Sequence, residues 1–229
     1  VDAKLKEFEF MEYTIVHKVG IRAGELDVGA SGKIPGHVVN QFALDESGGV
    51  LRVATTVSER WSSDGKGRSE SVNMVVSLDE RLSVLDRLDV LAGGEMIYAA
   101  RFVGDVLYLV TFRQVDPFFV IDVSDPRSLK ELGQVKIPGF SRYLHPYDAE
   151  TVIGLGRSAT EEGRQEGLKI SLFDVGDPVR PREIAQFVSE EEYARSVAEF
   201  EHKAFLFVKE KDLLVIPAYS HDPEGGSYN

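Results

Sequence analysis

Phe119-Val120-Ile121-Asp122-Val123-Ser124-Asp125-Pro126 and Ser171-Leu172-Phe173-Asp174-Val175-Gly176-Asp177-Pro178 are two copies of one phrase, offset by 52 residues (174 − 122). Each is an apolar run that ends in a carboxylate, a short polar link and Asp-Pro. The apolar run reads as a buried strand. The Asp side chains bond the backbone of a turn, and Pro fixes φ and removes a ladder donor, so the strand must stop there. A weaker copy, Val75-Val76-Ser77-Leu78-Asp79, lies 45 residues before the first (120 − 75). In each case a second strand follows the turn, for example Leu129–Val135 or Arg182–Phe187.

A second repeated unit sits between these phrases. Lys33-Ile34-Pro35-Gly36 recurs as Lys136-Ile137-Pro138-Gly139, offset by 103, and an Asp follows at the same offset in both, Asp45 and Asp148. Leu91 to Asp105 is a looser version. Strand, turn, strand and crossover thus recur with a period of about 45–52 residues, the spacing of four-stranded antiparallel propeller blades. Apolar runs at Leu51–Val57, Val72–Leu78, Val106–Phe112, Phe118–Val123, Leu168–Val175, Ala204–Val208 and Leu213–Ala218 bring the strand candidates to about sixteen. The reading is an all-β chain, 1–229, forming one β-propeller domain or a fragment of one, with about four blades seen and further blades expected outside this stretch. A β-sandwich fits the composition equally; the repeats favour the propeller. Alternating helices are missing, which argues against a parallel α/β sheet. One short inserted helix is expected from Ser189 to Phe200. Ser189 and Glu192 have capping-box spacing, and Tyr193, Val197 and Phe200 share a helical face. The polar stretches Ser58–Ser71 and Ser158–Gly167 read as mobile loops, and His221–Asn229 as a frayed tail.

Composition narrows the function. Of 229 residues, 43% are hydrophobic, enough to build a core. The 38 acidic against 26 basic residues give a net charge of −12, which repels phosphate backbones and anionic bilayers. Nucleic acid is therefore not an expected partner. No apolar run reaches the ~20 residues of a membrane helix. The absence of cysteine excludes disulfides, thiolate catalysis and Cys-ligated metal centres. Val1 is expected to be a processed or cut start, with any targeting segment lying before it.

Several stretches carry a family resemblance: GKIPGHVVNQFALDE (32–46), RFVGDVLYLVTFRQVDPFFVIDVSDP (101–126), IPGFSRYLHPYDAETVIGLG (137–156), GLKISLFDVGDP (167–178) and HKAFLFVKEKDLLVIPA (202–218). Together they resemble a family of secreted proteins with a C-terminal β-propeller domain, found mainly in archaea and some bacteria. The likeness runs from about Thr14 to Ala218, and Thr111–Pro117 is its most specific part. It implies a propeller fold and an extracellular or cell-surface location. It brings no catalytic activity and no site residues.

Read from the residues themselves, the polar clusters have two uses each. His145-Pro146-Tyr147-Asp148 offers an imidazole and a carboxylate to a divalent metal or a proton, and His202 holds a comparable place one repeat later. The same tetrapeptide also makes an ordinary turn. Arg101 and Arg113 could hold a ligand carboxylate, or pair with an Asp of the blades; Arg142 invites the same two readings. Asp122, Asp125, Asp174 and Asp177 read as turn formers by their repeat position. No HExxH, G-x-S-x-G or Walker A pattern is present. The ligand-site candidates are therefore His145, Asp148, His202, Arg101 and Arg113. No catalytic residue, cofactor or metal ligand is assigned, with a divalent metal as the alternative. The expected role is a binding or interaction scaffold for a protein or polysaccharide at the propeller face, with self-association through open blades as a further expectation. The alternative is a hydrolase or lyase acting on an extracellular polymer, which requires His145, Asp148, Arg101 and Arg113 to converge in one cleft.

Overall fold

A computed structural model describes residues 12–61, 68–112, 116–160, 164–191 and 193–220. Three meanders of four antiparallel strands dominate it. Blade I is β3 (Leu44–Ser47), β4 (Val50–Val57), β7 (Val72–Leu78) and β8 (Val84–Leu91). Between β4 and β7 lies a two-stranded ribbon, β5 (Arg60–Trp61) and β6 (Arg68–Ser69). Blade II is β9 (Met96–Val103), β10 (Val106–Phe112), β11 (Asp116–Asp122) and β12 (Lys130–Ile137). Blade III is β13 (Phe140–Pro146), β14 (Thr151–Ala159), β15 (Gln165–Asp174) and β16 (Arg182–Val188). Two hairpins flank them in sequence: β1 (Tyr13–Arg22) with β2 (Glu25–Pro35), and β17 (Leu206–Val208) with β18 (Leu213–Val215). The expected strands are there, but about four full blades becomes three four-stranded sheets and three strand pairs among the described residues.

The turn chemistry works as the sequence suggests. Asp122 accepts from the Ser124 amide and hydroxyl, and Asp125 from the Arg127 amide. Asp174 accepts from the Gly176 amide and Asp177 from the Val179 amide. In blade I, Asp79 accepts from the Arg81 and Ser83 amides. Each carboxylate thus replaces a strand partner at the point where the ladder ends. The repeated glycine of Ile-Pro-Gly has an equally definite cause. Gly36 and Gly139 both have positive φ (83° and 89°), and an added Cβ would meet the Thr56 carbonyl oxygen at 2.4 Å or the Arg157 carbonyl oxygen at 2.3 Å. Only glycine passes so close to a neighbouring backbone in that conformation.

The chain divides into two compact units. One comprises Val1–Tyr108 and Ile121–Glu131, the other Leu109–Val120 and Leu132–Asn229, so blade II contributes strand segments to both. In the first unit Ile34, Val53, Val57, Met74, Val76, Leu78 and Leu82 form one core, with Val16, Ala30 and Val38 packed against it. Buried Asn73 is satisfied by the Thr56 hydroxyl at 2.7 Å and the Leu91 carbonyl at 2.9 Å. Arg52, also buried, is held by Asp45 and lies over the Phe102 ring. In the second unit Phe118 stacks on Phe173 with centroids 4.3 Å apart, and Phe112 packs on Phe140 at 4.5 Å.

The helix expected at Ser189–Phe200 is not formed. A single 3-10 turn, Val197–Glu199, stands there, and Glu192 lies outside the described residues. The expected apolar face is exposed at Tyr193, Val197 and Phe200, whereas Ala194, Ser196, Ala198 and Glu199 are buried. From Tyr193 to Val197 every second residue turns inward, so the approach to the 3-10 turn is closer to extended than to helical. Ser196, not Ser189, supplies the cap: its Oγ accepts from the Ala198 amide at 3.1 Å, while Glu199 accepts from the Ser196 amide at 3.0 Å. Arg195 is drawn aside into a backbone bridge with Tyr219. Of the two expected mobile loops, strands run into both from either side, and 62–67 and 161–163 lie outside the described residues, as does the expected frayed tail 221–229.

Candidate functional site

β13 carries His145 and Pro146 at its end, and the chain then turns through Tyr147 and Asp148 into β14. The Tyr147 and Asp148 amides both donate to the Thr151 carbonyl, at 2.9 and 3.3 Å, and Asp148 accepts from the Glu150 amide at 2.9 Å. The His-Pro-Tyr-Asp segment is thus a carboxylate-closed turn. That backbone bond from Glu150, the largest influence, holds the Asp148 carboxyl below its ordinary pKa, with help from Thr151 and Lys209. Lys209 Nζ stands 3.9 Å from the Asp148 carboxylate.

His145 is built into an aromatic group. Its Nδ1 is 3.2 Å from the Tyr143 hydroxyl, and its ring centroid is 4.9 Å from Phe205 and 5.3 Å from Phe207. Phe207 also tilts against Tyr147 at 5.3 Å. The geometry follows from strand alternation: Phe205 and Phe207 are two apart, so both face β13 while Leu206 faces away. Beyond the rings lies a charged rim. Tyr147 donates to Asp212, which pushes the phenol up from its ordinary pKa, and Lys209 sits 5.3 Å from the Tyr147 ring centroid. Asp212 has φ 47° and closes the tight connection between β17 and β18.

The other candidates are distributed differently. His202 opens a 3-10 turn, His202–Ala204, with Nδ1 3.7 Å from Glu201; its carbonyl accepts from the Phe205 amide and so helps to seat that ring beneath His145. Arg101 belongs to the first unit, on β9, where its guanidinium lies 4.5 Å from the Phe42 ring centroid. Arg113 lies outside the described residues. Asp148 and His145 therefore share one neighbourhood with the segment following His202, and Arg101 is in the other unit. Among the described residues, no group of three or more His, Asp or Glu side chains could hold a metal ion.

A second cluster escaped the sequence reading except for Arg142. The Glu199 carboxylate is fully buried, with Arg157 Nε at 3.2 Å and Arg142 Nε at 3.8 Å. Arg142 is flanked by the Phe140 and Phe200 rings, with centroid distances of 5.0 and 5.1 Å. The signal was present in Ser196-Val197-Ala198-Glu199, a capping-box pattern, but nothing local names the two arginines it serves. Phe207, Lys209 and Asp212 were likewise not singled out, and Tyr147 was named only as part of the His145–Asp148 segment. The alternation of Phe205 and Phe207 was the readable clue.

Comparison with known proteins agrees with this architecture. An uncharacterized protein of Methanocaldococcus jannaschii is 38% identical over 216 residues, which is 94% of this chain and 32% of that protein. An uncharacterized protein of Archaeoglobus fulgidus is 41% identical over 205 residues, 89% of this chain and 30% of that protein. The chain thus spans about a third of the length of these curated relatives. A family described as a beta propeller domain matches residues 1–229. With three four-stranded meanders and that match over its whole length, this chain belongs to the β-propeller domain family.

Proposed function

We propose that the chain is a binding scaffold acting outside the cell or at its surface, and that the turn after β13 together with the β17–β18 hairpin forms its ligand-facing surface. The observation that carries this reading is the aromatic group of His145, Tyr147 and Phe207, edged by Asp148, Lys209 and Asp212. Aromatic rings give large contact area at low entropic cost, and a rim of both charge signs supplies direction. Such a surface suits a protein segment or the apolar face of a sugar. The frame behind it is rigid sheet, which supports recognition without reorganisation. The net charge of −12 favours ligands that are neutral or cationic.

The test is direct. The immobilised chain is probed with a glycan panel and with a displayed peptide library, in parallel with Tyr147→Ala and Lys209→Ala. Ligands retained by the parent chain and weakened tenfold or more by both changes support the surface. Ligands retained equally by both variants, or a polymer that the chain cleaves, would contradict it.

A further inference from the structure

The link between the first and second strands of a meander changes length along the chain. In blade I it is the pair Gly48-Gly49, and in blade II the pair Gly104-Asp105. In blade III it has four residues, Tyr147-Asp148-Ala149-Glu150, and the hairpin that follows has another four, Lys209-Glu210-Lys211-Asp212. A pair of residues is enough to reverse an antiparallel ladder. The extra residues are therefore not needed to turn the chain, and in repeat proteins such insertions collect on the binding face. The two long links also touch each other. Tyr147 donates to Asp212, and Lys209 Nζ stands 3.9 Å from the Asp148 carboxylate.

Each long link is braced through its backbone. Asp148 Oδ1 accepts from the Glu150 amide at 2.9 Å, and the Glu150 carbonyl accepts from the Val175 amide of the β15–β16 turn at 2.8 Å. In the second link the Asp212 amide donates to the Lys209 carbonyl at 3.1 Å. The side chains stay accessible, with 54% of Lys209 and 35% of Asp148 exposed.

The spacing of these groups suits one kind of partner atom. At 3.9 Å, Lys209 Nζ and Asp148 Oδ2 are too far apart to hydrogen-bond one another. An oxygen about 2.8 Å from each would see them about 90° apart. A hydroxyl meets both demands at that single atom, donating to the carboxylate and accepting from the ammonium. A peptide amide divides the two roles between its N–H and its C=O. Asp212 offers a second acceptor: Oδ1 takes the Tyr147 hydroxyl, and Oδ2 has no hydrogen-bond partner among the described residues. The half-buried Tyr147 ring, 5.3 Å from Phe207, gives apolar surface beside these groups. Asp148, Glu150, Glu210 and Asp212 outnumber Lys209 and Lys211, so an anionic ligand is repelled.

We propose, resting on the ligand-facing surface put forward above, that the ligand is a neutral glycan taken at a sugar ring with two neighbouring free hydroxyls. One hydroxyl lies between Asp148 and Lys209, the other donates to Asp212, and the C–H face of the ring packs on Tyr147. Sugar hydroxyls come in such adjacent pairs, whereas a peptide presents its side-chain hydroxyls singly.

The immobilised chain is probed with neutral, uronate-containing and sulfated glycans and with displayed peptides. Neutral glycans should be retained and the anionic ones not. Tyr147→Ala and Asp148→Asn should each weaken the retained glycan about tenfold or more; the asparagine keeps an oxygen for the Glu150 amide but replaces the acceptor facing Lys209. Asp105→Asn, in the short link of blade II, should change nothing. Circular dichroism checks folding, and Asp212→Asn serves if Asp148→Asn misfolds, since asparagine tolerates the left-handed conformation. Competition with the free sugar and its single deoxy forms reads the chemistry. Loss of either hydroxyl of one adjacent pair should weaken competition about tenfold or more, and loss of the others far less. Peptides retained through Tyr147 while no neutral glycan is retained would keep the surface and overturn the sugar. A retained glycan indifferent to Asp148→Asn and Asp212→Asn, tighter binding of anionic than neutral glycans, or a panel with no neutral glycan retained would also overturn it. Glycan binding untouched by Tyr147→Ala would remove the surface itself.

Discussion

Glu199→Gln is the change that examines the second unit most sharply. The Glu199 side chain is 0% exposed and Arg157 8%, while Arg142 keeps 26% of its surface. Glutamine preserves volume and keeps an oxygen for the Ser196 amide, so the 3-10 cap can survive. What it removes is the charge facing Arg157, and it turns an amide group toward two guanidinium donors. Removing one partner of a buried ion pair costs about 3–5 kcal/mol, because the other charge is left without compensation. Arg142 retains contact with water and can be hydrated, so its share is discounted and the lower end, about 3 kcal/mol, applies. For a chain of this size that is a fall in Tm of roughly 6–12 °C. Glu199→Ala adds the lost cap, about 1 kcal/mol more. Thermal and urea unfolding followed by far-ultraviolet circular dichroism give both quantities. A fall of less than about 2 °C with an unchanged m-value would refute the claim that this carboxylate neutralises buried charge.

Other consequences follow from the turns and junctions. Gly139→Ala forces a Cβ into the Arg157 carbonyl in a left-handed conformation and should cost about 2–4 kcal/mol; Gly36→Ala should match it against Thr56, and equality with the parent in urea melts would contradict the close approach. Ser77→Ala deletes the hydroxyl that takes the Pro126 carbonyl and should cost about 1 kcal/mol, read as a lower urea midpoint with no change in m. Acid should destabilise the chain. Glu12, Asp122, Asp148, Asp174, Asp177 and Glu191 are all held below their ordinary pKa values, Asp122 first by Ser124 and Asp174 first by Arg182. Their stabilisation is full above the unfolded carboxylate range and is lost as pH falls from about 5 through the lower folded values. Asp89 runs the other way, since desolvation raises it, but it is one group against six. A urea midpoint that holds constant from pH 6 to 3 would contradict this sign.

The blades were legible because their chemistry is local. An apolar run, an Asp that closes an Asx turn and a Pro that ends the ladder lie within eight residues of one another, and repetition supplied the architecture. The β1–β2 hairpin was not legible. Gly20, Gly24, Gly29 and Gly32 break the apolar pattern, and one of its faces meets no partner within the described residues. The missed 3-10 turn has a similar lesson. Ser189…Glu192 and Ser196…Glu199 have the same spacing, and the contact that separates them is Arg157, over forty positions away from Glu199 in a different strand. Asp148 was read both as a turn former and as a ligand-site candidate, and it does close its turn through the Glu150 amide. The ring group around His145 depends on Phe205 and Phe207, some sixty residues downstream, and only the folded chain assembles it.

The scaffold reading stands or falls on where a ligand touches the chain. Hydrogen–deuterium exchange with and without a retained glycan or peptide maps that contact along the whole sequence. The account predicts new protection in residues 143–148 and 205–213 and little change across blade I. Protection confined to blade I, or a ligand consumed during the exposure, would contradict it.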